Sequence, residues 1–364
     1  MTENPDEIDR VGSVIDCRTT PSFALWLSQL PGSLVLTTYQ AGKLALIGWR
    51  NQQPTLLMRQ FEKPMGLAIS GSQMVLATRN EVLILANAPL LAWDFLIEQP
   101  GHYDALYLPR VSYYTGDLNV HDVSFAGEDV WIVASRFSCL AGLSQKHCFE
   151  PRWKPSFISE IAPEDRCHLN GLAVADGRPK YVTALGESDV VGGWRENKAT
   201  GGILIDVESS DVVLRGLSMP HSPRWFGQKV WLLNSGAGEL MCYDPATCTT
   251  AVVAVVPAYL RGLCLIGGYA VVGMCQIREK HIFGGLPIQD RFKKLHSGIA
   301  VIELSSGQIV GMFEFTQGVS EIYDVQFLPG VRHAGLLNQH QDATKEAFPA
   351  PDFSYWLRPG NRIE

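Results

Sequence analysis

A short phrase recurs six times along the chain and restricts its fold more than any other feature. Each copy has a polar or bulky residue, then a small residue or Asp, and then, usually, an apolar run. The six copies begin at Met65, His121, Asn170, His221, Arg261 and Tyr323. The steps of 40 to 62 residues between them are typical of β-propellers, in which one blade takes about 40–50 residues. The repeat therefore predicts a propeller.

Two matching stretches indicate how the ring closes. Residues 34–61 and 230–256 share one order: an apolar run, a Gly-containing turn, a second run and a third run. The first stretch holds three outer strands without an inner one, and the last copy of the phrase is an inner strand without a blade. We therefore predict an all-β, six-bladed β-propeller closed by one C-terminal inner strand plus three N-terminal strands, which removes open sheet edges. The predicted organisation is an N-terminal leader over 1–30, a single propeller domain over 31–330 and a C-terminal tail over 331–364.

Three stretches do not fit the simplest blade and are predicted to be insertions or long loops. They are residues 94–118, 186–201 and 276–297. Loops on one face of a propeller are held rigidly by the ring, so function is expected on such segments.

Composition narrows the classes of partner. Hydrophobic residues make up 46% of the 364 residues and charged residues 18%, which is enough apolar material for a large core. The net charge is −7 and no basic run tracks a phosphate backbone, so nucleic acid is not an expected partner. No apolar stretch is long enough to span a membrane. The acidic, polar start and eight cysteines without C-x-x-C spacing predict a cytoplasmic location with reduced thiols.

Three histidines are candidates for a metal site. The loops that enter the inner strands converge at one end of the central channel, which brings His121, His168 and His221 to the same region. Imidazole suits Zn, Mn or Fe, so one divalent metal is predicted there. The alternative is that these side chains tie the inner strands together by hydrogen bonds, as buried histidines commonly do.

Arginines near the same region predict an anion pocket. The predicted substrate-binding residues are Arg195, Arg224, Arg261, Arg278, Asn170 and Tyr323. Guanidinium groups bind carboxylate or phosphate in a bidentate manner. The alternative is that each arginine pairs with a nearby acid. Glu187, which follows a strand into the long loop, and His221 are the predicted acid–base residues.

These features leave two classes of function open. The first is a metal-dependent enzyme, a hydrolase, lyase or isomerase, that acts on a small anionic or polar molecule at the mouth of the central channel. The second is a non-catalytic scaffold that binds a ligand or a protein partner. The chain has no G-x-S-x-G elbow, P-loop or G-x-G-x-x-G motif after a strand.

Long strings in the chain are specific enough to indicate a family. They include HDVSFAGEDVWIVASRFSCLAGL, PRWKPSFISEIAPEDRCHLNGLA, GGWRENKATGG and EIYDVQFLPG. These strings resemble a bacterial conserved-hypothetical β-propeller family, a domain of unknown function, over roughly residues 20–335. The resemblance implies no activity. The strings that recur in this family contain most of the residues of the predicted pocket. The family is also similar to the wider group of six-bladed propellers, which includes lactonases, lyases and cyclotransferases with channel-bound metals.

Overall fold

A computed structural model describes residues 14–277 and 284–358 of the chain. Six antiparallel sheets of four blade strands each form a closed ring, so the predicted six-bladed propeller is confirmed. Blade 1 consists, from the centre outwards, of β25 (Asp324–Pro329), β2 (Gly32–Thr38), β3 (Lys43–Arg50) and β4 (Gln53–Gln60). Blade 2 consists of β5 (Leu67–Ser70), β6 (Gln73–Ala77), β7 (Glu81–Asn87) and β8 (Ala105–Tyr114). Blade 3 consists of β9 (Val120–Ala126), β10 (Asp129–Ala134), β11 (Cys139–Gly142) and β12 (Glu150–Trp153).

The other three blades follow in chain order. Blade 4 consists of β13 (Leu169–Ala175), β14 (Arg178–Ala184), β15 (Gly202–Asp206) and β16 (Val212–Leu217). Blade 5 consists of β17 (Pro220–Phe226), β18 (Lys229–Asn234), β19 (Glu239–Asp244) and β20 (Thr249–Val255). Blade 6 consists of β21 (Tyr259–Ile266), β22 (Tyr269–Cys275), β23 (Gly298–Glu303) and β24 (Ile309–Gln317). All six copies of the phrase overlap an inner strand, and each of these strands begins within two residues of the first residue of its copy.

The ring closes in blade 1 as predicted. The inner strand β25 pairs antiparallel with β2, with Val325 opposite Leu36 and Leu328 opposite Ser33. All seven residues of β2 are buried, because neighbouring blades cover both of its faces, whereas no residue of the outermost strand β4 is fully buried. The apolar run that predicted the strand therefore reflects burial on both faces.

Segments outside the blades pack on the ring. β1 (Asp16–Thr19) adds an antiparallel fifth strand to blade 6, and β26 (Ala334–Leu336) adds a parallel one to blade 2. The helices are α1 (Pro21–Gln29), α2 (Pro89–Ala92) and α3 (Ile288–Arg291), with 3₁₀ turns at Ser135–Phe137, Gly193–Arg195, Ser235–Ala237 and Asp342–Glu346. A hairpin of β27 (Ala347–Pro349) and β28 (Ser354–Trp356) ends the described chain. Within the described ranges, no helix has the length and apolar character needed to cross a membrane.

One predicted insertion is mostly a strand. Residues 94–118 were predicted to be an insertion because they are rich in Tyr and Pro, but β8 occupies Ala105–Tyr114 as the outer strand of blade 2. Pro109 lies opposite Leu85, at an irregularity in the pairing of β7 and β8. A strand tolerates proline at such an edge or bulge because no ladder hydrogen bond is needed there.

The second position of the phrase determines how close the inner strands approach one another. Around the ring these positions are Gly66, Asp122, Gly171, Ser222, Gly262 and Asp324, so glycine alternates with an oxygen-bearing side chain. A Cβ at Gly66 would lie 2.8 Å from the Asp122 Cα, and one at Gly262 would lie 2.8 Å from the Asp324 Cα. Glycine at these positions therefore lets the next blade approach to backbone contact.

At the other three contacts between neighbouring inner strands, the oxygen-bearing side chain forms a hydrogen bond with the next strand. The Asp122 Oδ2 accepts a hydrogen bond from the Leu172 backbone N–H at 3.0 Å. The Ser222 Oγ accepts from the Gly262 N–H at 3.0 Å, and the Asp324 Oδ2 accepts from the Leu67 N–H at 3.0 Å. Each bond satisfies a buried backbone donor of the next blade.

Arg224 joins two of these carboxylates below the mouth of the channel. Its Nη1 lies 2.8 Å from the Asp122 Oδ2, and its Nη2 lies 3.3 Å from the Asp324 Oδ1. Burial raises the pKa of Asp324 to about 7, the Asp122 carboxylate adds to the rise, and the Arg224 cation opposes it. Burial alone would lower the pKa of Arg224, but the two carboxylates raise it. One buried guanidinium thus connects blades 5, 3 and 1.

We predict that Gly66→Ala destabilises the protein. Its Cβ would meet backbone atoms of residues 122 and 123 at 2.8–2.9 Å, and backbone cannot rotate away. Overpacking of this kind costs about 1–3 kcal/mol, which denaturant unfolding measures. Gly268→Ala is the matched control because a Cβ there has no neighbour within 4 Å. Equal stability of the two variants would contradict close inner-strand contact.

We also predict a pH-dependent difference between the wild type and Asp324→Asn. The unfolded Asp324 ionises near its ordinary pKa, whereas the folded one keeps its proton up to about pH 7. Wild-type stability therefore falls as the pH rises between these values. The stability of Asp324→Asn relative to the wild type is therefore expected to rise between about pH 4 and pH 7 in denaturant unfolding. The exposed Asp352→Asn is the control, and a relative stability that does not change with pH would contradict the raised pKa of the buried Asp324.

Candidate functional site

A cavity of about 200 Å³ lies at the end of the channel where the chain enters the inner strands. Six of the predicted site residues line it: His121, His168, His221, Arg195, Arg261 and Tyr323. Residues outside the predicted site also line it, among them Asp165, Trp194 and Tyr259. The ring thus brings together residues as distant in the chain as Tyr39 and Tyr323.

His121 and His221 occupy equivalent places in blades 3 and 5 and are held in the same way. The Nδ1 of His121 lies 3.0 Å from the Asn119 carbonyl oxygen, and the Nδ1 of His221 lies 2.8 Å from the Met219 carbonyl oxygen. A carbonyl oxygen only accepts hydrogen bonds, so each Nδ1 carries a proton, and in the neutral ring Nε2 is then an acceptor. Both side chains therefore present the same tautomer.

Two serines support these rings. Ser135 lies 2.8 Å from the His121 Nδ1, and Ser235 lies 3.1 Å from the His221 Nδ1. Each serine begins the turn between the second and third strands of its blade, 14 residues after its histidine. The equal spacing of the two His–Ser pairs is a sequence signal that reading the phrase alone did not detect.

A hydrogen-bonded chain runs from Asp165 through His168 to His121. The Asp165 Oδ1 lies 2.8 Å from the His168 Nδ1, and the His168 Nε2 lies 3.0 Å from the His121 Nε2. The carboxylate accepts from His168, and His121 offers its lone pair, so both nitrogens of His168 donate. The two rings then share three protons and one positive charge, which the Asp165 carboxylate balances.

Electrostatics agree with this assignment of protons. Burial lowers the pKa of His121 well below its ordinary value, and the charges of His168 and Arg261 lower it further. Burial and Arg261 likewise lower the pKa of His221. For Asp165 burial acts in the opposite direction, but the His168, Trp194 and Arg195 side chains together lower its pKa. His121 and His221 are therefore neutral hydrogen-bond acceptors at neutral pH.

Arg261 and Tyr323 form a stacked pair beside the imidazoles. The Arg261 guanidinium carbon lies 4.1 Å from the centre of the Tyr323 ring, and Tyr39 stacks on Tyr323 with ring centres 5.5 Å apart. Within residues 14–277 and 284–358, no carboxylate lies within ion-pair distance of Arg261, although Glu321 lines the same cavity and helps to raise the pKa of Arg261. In the same part of the chain, the buried Tyr323 hydroxyl has no hydrogen-bond partner. A cation and a hydroxyl donor are thus left available at the cavity.

The loop over residues 186–201 contributes a wall to the cavity. The buried Trp194 ring lies 4.5 Å from the His168 ring, and its Nε1 donates to the Asp165 Oδ2 at 3.0 Å. Arg195 stacks on Trp194 at 4.4 Å and lies 3.4 Å from the Asp165 Oδ2, with most of its side chain exposed. Trp194 therefore positions the Asp165–His168 pair, and Arg195 lies at the rim.

Three of the other predicted residues lie elsewhere, and Arg278 falls outside the described residues. Glu187 pairs with Arg215 at 2.8 Å and does not line the cavity. Arg224 lies below the cavity, paired with Asp122 and Asp324. Asn170 joins blades 4 and 5 by donating to the Pro220 carbonyl oxygen at 3.0 Å. The alternative, in which an arginine pairs with nearby acids, therefore describes Arg224, and it also describes Arg195 at its 3.4 Å contact with Asp165.

Two of the three histidines predicted to bind a metal lie in contact with each other. The Nε2 atoms of His121 and His168 lie 3.0 Å apart. Among the described residues, no group of three or more His, Cys, Asp or Glu side chains is arranged to hold a metal ion. The divalent metal stays a prediction.

Comparison with known proteins agrees with the fold and identifies the family. A search of curated proteins found no match. The fold is similar to a chain in a solved structure titled "Crystal structure of Nidogen/Laminin Complex", with a TM-score of 0.50, 8% identity and coverage of 82% of this chain and 98% of that one. At this identity the similarity concerns the fold alone. A family model described as "Domain of unknown function (DUF4915)" matches residues 21–337, which confirms the resemblance to such a family. Because the match covers most of the chain, the protein belongs to the DUF4915 family.

Proposed function

We propose that the central cavity binds a small anionic molecule and that the protein transfers a proton to or from it. The observation that carries this proposal is Arg261, a partly buried cation stacked on Tyr323 whose acidic neighbour Glu321 lies beyond ion-pair distance. Removing a charge from water is costly unless the charge is paired. An anionic ligand supplies the missing partner.

The surroundings of Arg261 fit an anion better than a cation. Its charge depresses the pKa of both His121 and His221, so its field extends across the cavity. The Tyr323 hydroxyl stays protonated because burial raises its pKa well above the ordinary value, and it donates to an anion beside Arg261. The volume of about 200 Å³ is below the usual 300–1,000 Å³ of pockets for drug-sized ligands. The ligand is therefore a small metabolite.

The Asp165–His168–His121 chain supplies the proton-transfer step. His168 donates from both nitrogens, and the carboxylate of Asp165 fixes its orientation. An acid or base whose orientation is fixed by a third group is a recurring arrangement in enzymes. His168 and His121 both line the cavity, so the proton between them passes to or from a ligand that replaces one of the two Nε2 atoms as its partner.

A divalent metal is the second candidate, and the close approach of two Nε2 atoms is the observation in its favour. A metal ion requires both nitrogens without protons and further ligands. It also lies within the field of the Arg261 cation, which opposes its binding. The scaffold alternative, with a peptide or protein partner, rests on the fold class alone.

We predict that Arg261→Gln removes binding of small anions without loss of stability. The test is calorimetric titration with small carboxylates and phosphate monoesters, with chloride at equal ionic strength as the control ligand. Loss of an unpaired charge is expected to leave the unfolding free energy unchanged or raised, because its desolvation cost disappears. Arg224→Gln is the matched control, since it breaks a buried pair and is expected to cost about 3–5 kcal/mol. The proposal fails if no anion binds to the wild type, or if Arg261→Gln destabilises as much as Arg224→Gln.

We further predict that the wild type exchanges an acidic C–H of a bound carboxylate for deuterium in D₂O, as followed by NMR. His121→Asn is expected to slow this exchange by at least about 100-fold, the usual contribution of general acid–base catalysis. His147→Asn, at an exposed site, is the control. Binding without exchange contradicts the proton-transfer step. One tightly bound divalent ion per chain, measured on untagged protein and lost in His121→Asn, assigns the histidines to a metal instead.

A further inference from the structure

We infer that the ligand carries a hydroxyl or amino group close to its anionic group, and that the Nε2 of His221 recognises this group as a hydrogen-bond acceptor. The inference rests on the proposed function, because it concerns the same cavity. It goes further by specifying the class of ligand: small hydroxy or amino acids rather than simple carboxylates.

The first step is the free lone pair of His221. Its Nδ1 is occupied by the Met219 carbonyl oxygen at 2.8 Å and by Ser235 at 3.1 Å, which leaves Nε2 as the acceptor. In the described part of the chain, no donor forms a hydrogen bond with this Nε2. The equivalent nitrogen of His121 is already occupied by His168 at 3.0 Å. Of these two repeat-related imidazoles, His221 is the one that retains a lone pair for a ligand.

The second step is the contrast between His221 and its neighbours in the cavity. Arg261 has only donors, and the protonated Tyr323 hydroxyl donates to an anion. A ligand whose polar atoms are all anionic oxygens satisfies these two residues. The same oxygens placed against the His221 lone pair bring two acceptors together, which leaves both without a hydrogen bond. A ligand that satisfies all three residues therefore has an anionic group and a separate N–H or O–H donor.

The third step is the rigidity of this acceptor. His221 is buried, and its ring is held by the Met219 carbonyl oxygen, by Ser235 and by an edge contact with Tyr259 at 5.9 Å between ring centres. A ring flip would replace the Nδ1–H by a carbon and lose the hydrogen bond to the Met219 carbonyl oxygen, and the other tautomer would set a lone pair against that oxygen. A site that holds a polar group in one orientation rejects ligands that lack the matching group, because the group then stays unpaired.

The experiment compares ligands that differ by one hydroxyl: lactate with propionate, and malate with succinate. In calorimetric titration, the wild type is expected to bind the hydroxylated member of a pair roughly tenfold more tightly. This ratio corresponds to the free energy of about one hydrogen bond. His221→Phe is expected to bind both members equally. A nitrogen spectrum of ¹⁵N-histidine-labelled wild type is the second measurement, and it does not depend on the folding of a variant. The signal of the unprotonated His221 nitrogen is expected to move with lactate or malate and not with propionate or succinate.

The possible results separate this inference from the proposed function. If neither member of either pair binds, the inferred class of ligand is wrong, and the small-anion function fails as well if no phosphate monoester binds. If both members bind equally well to the wild type and the nitrogen signal does not distinguish them, the function stands and the role of His221 is wrong. A wild-type preference that persists unchanged in His221→Phe also contradicts this role.

Discussion

The contact between neighbouring inner strands is the constraint on which the rest of this propeller depends. Six strands converge on one axis, so each must approach the next closely while its buried N–H groups remain hydrogen-bonded. The second position of the phrase meets both needs in alternation. Glycine admits the neighbouring backbone at residues 66, 171 and 262, and Asp or Ser accepts a backbone hydrogen bond at 122, 222 and 324. The blades share one strand order, but the contacts between them alternate between close backbone packing at glycine and a hydrogen bond to Asp or Ser.

The polar groups of the channel differ in how fully they are paired. In the lower part, the Arg224 guanidinium is bound by Asp122 and Asp324, so the cluster serves to hold blades together. Near the mouth, Arg261 and the Tyr323 hydroxyl lack such partners among the described residues. A protein gains no stability from an unpaired buried cation. This difference is the physical reason for attributing binding to the mouth and structural support to the lower part.

Much of the candidate site followed from the first position of the phrase. His121, His221, Arg261 and Tyr323 all line the cavity, as expected from loops that converge at one end of the channel. The repeated phrase did not predict which side chains these residues contact. Asp165 lies in a loop before β13, outside any copy of the phrase, and only folding brings it to His168 and Trp194. Glu187, whose place after a strand suggested an acid–base role, pairs with Arg215 and does not line the cavity.

The spacing and chemistry of the repeated phrase were enough to predict the six blades, the closure through β25 and β2, and the end of the channel where polar residues gather. These properties depend on local patterns: apolar runs, turns and the small residues that close packing requires. The tertiary structure alone decided which charges are neutralised and which imidazole nitrogens carry protons. Those outcomes depend on contacts of about 3 Å between residues of different blades, and no linear pattern encodes such distances. Arg224 and Arg261 look alike in the sequence, and the ring pairs one with carboxylates and leaves the other facing the cavity.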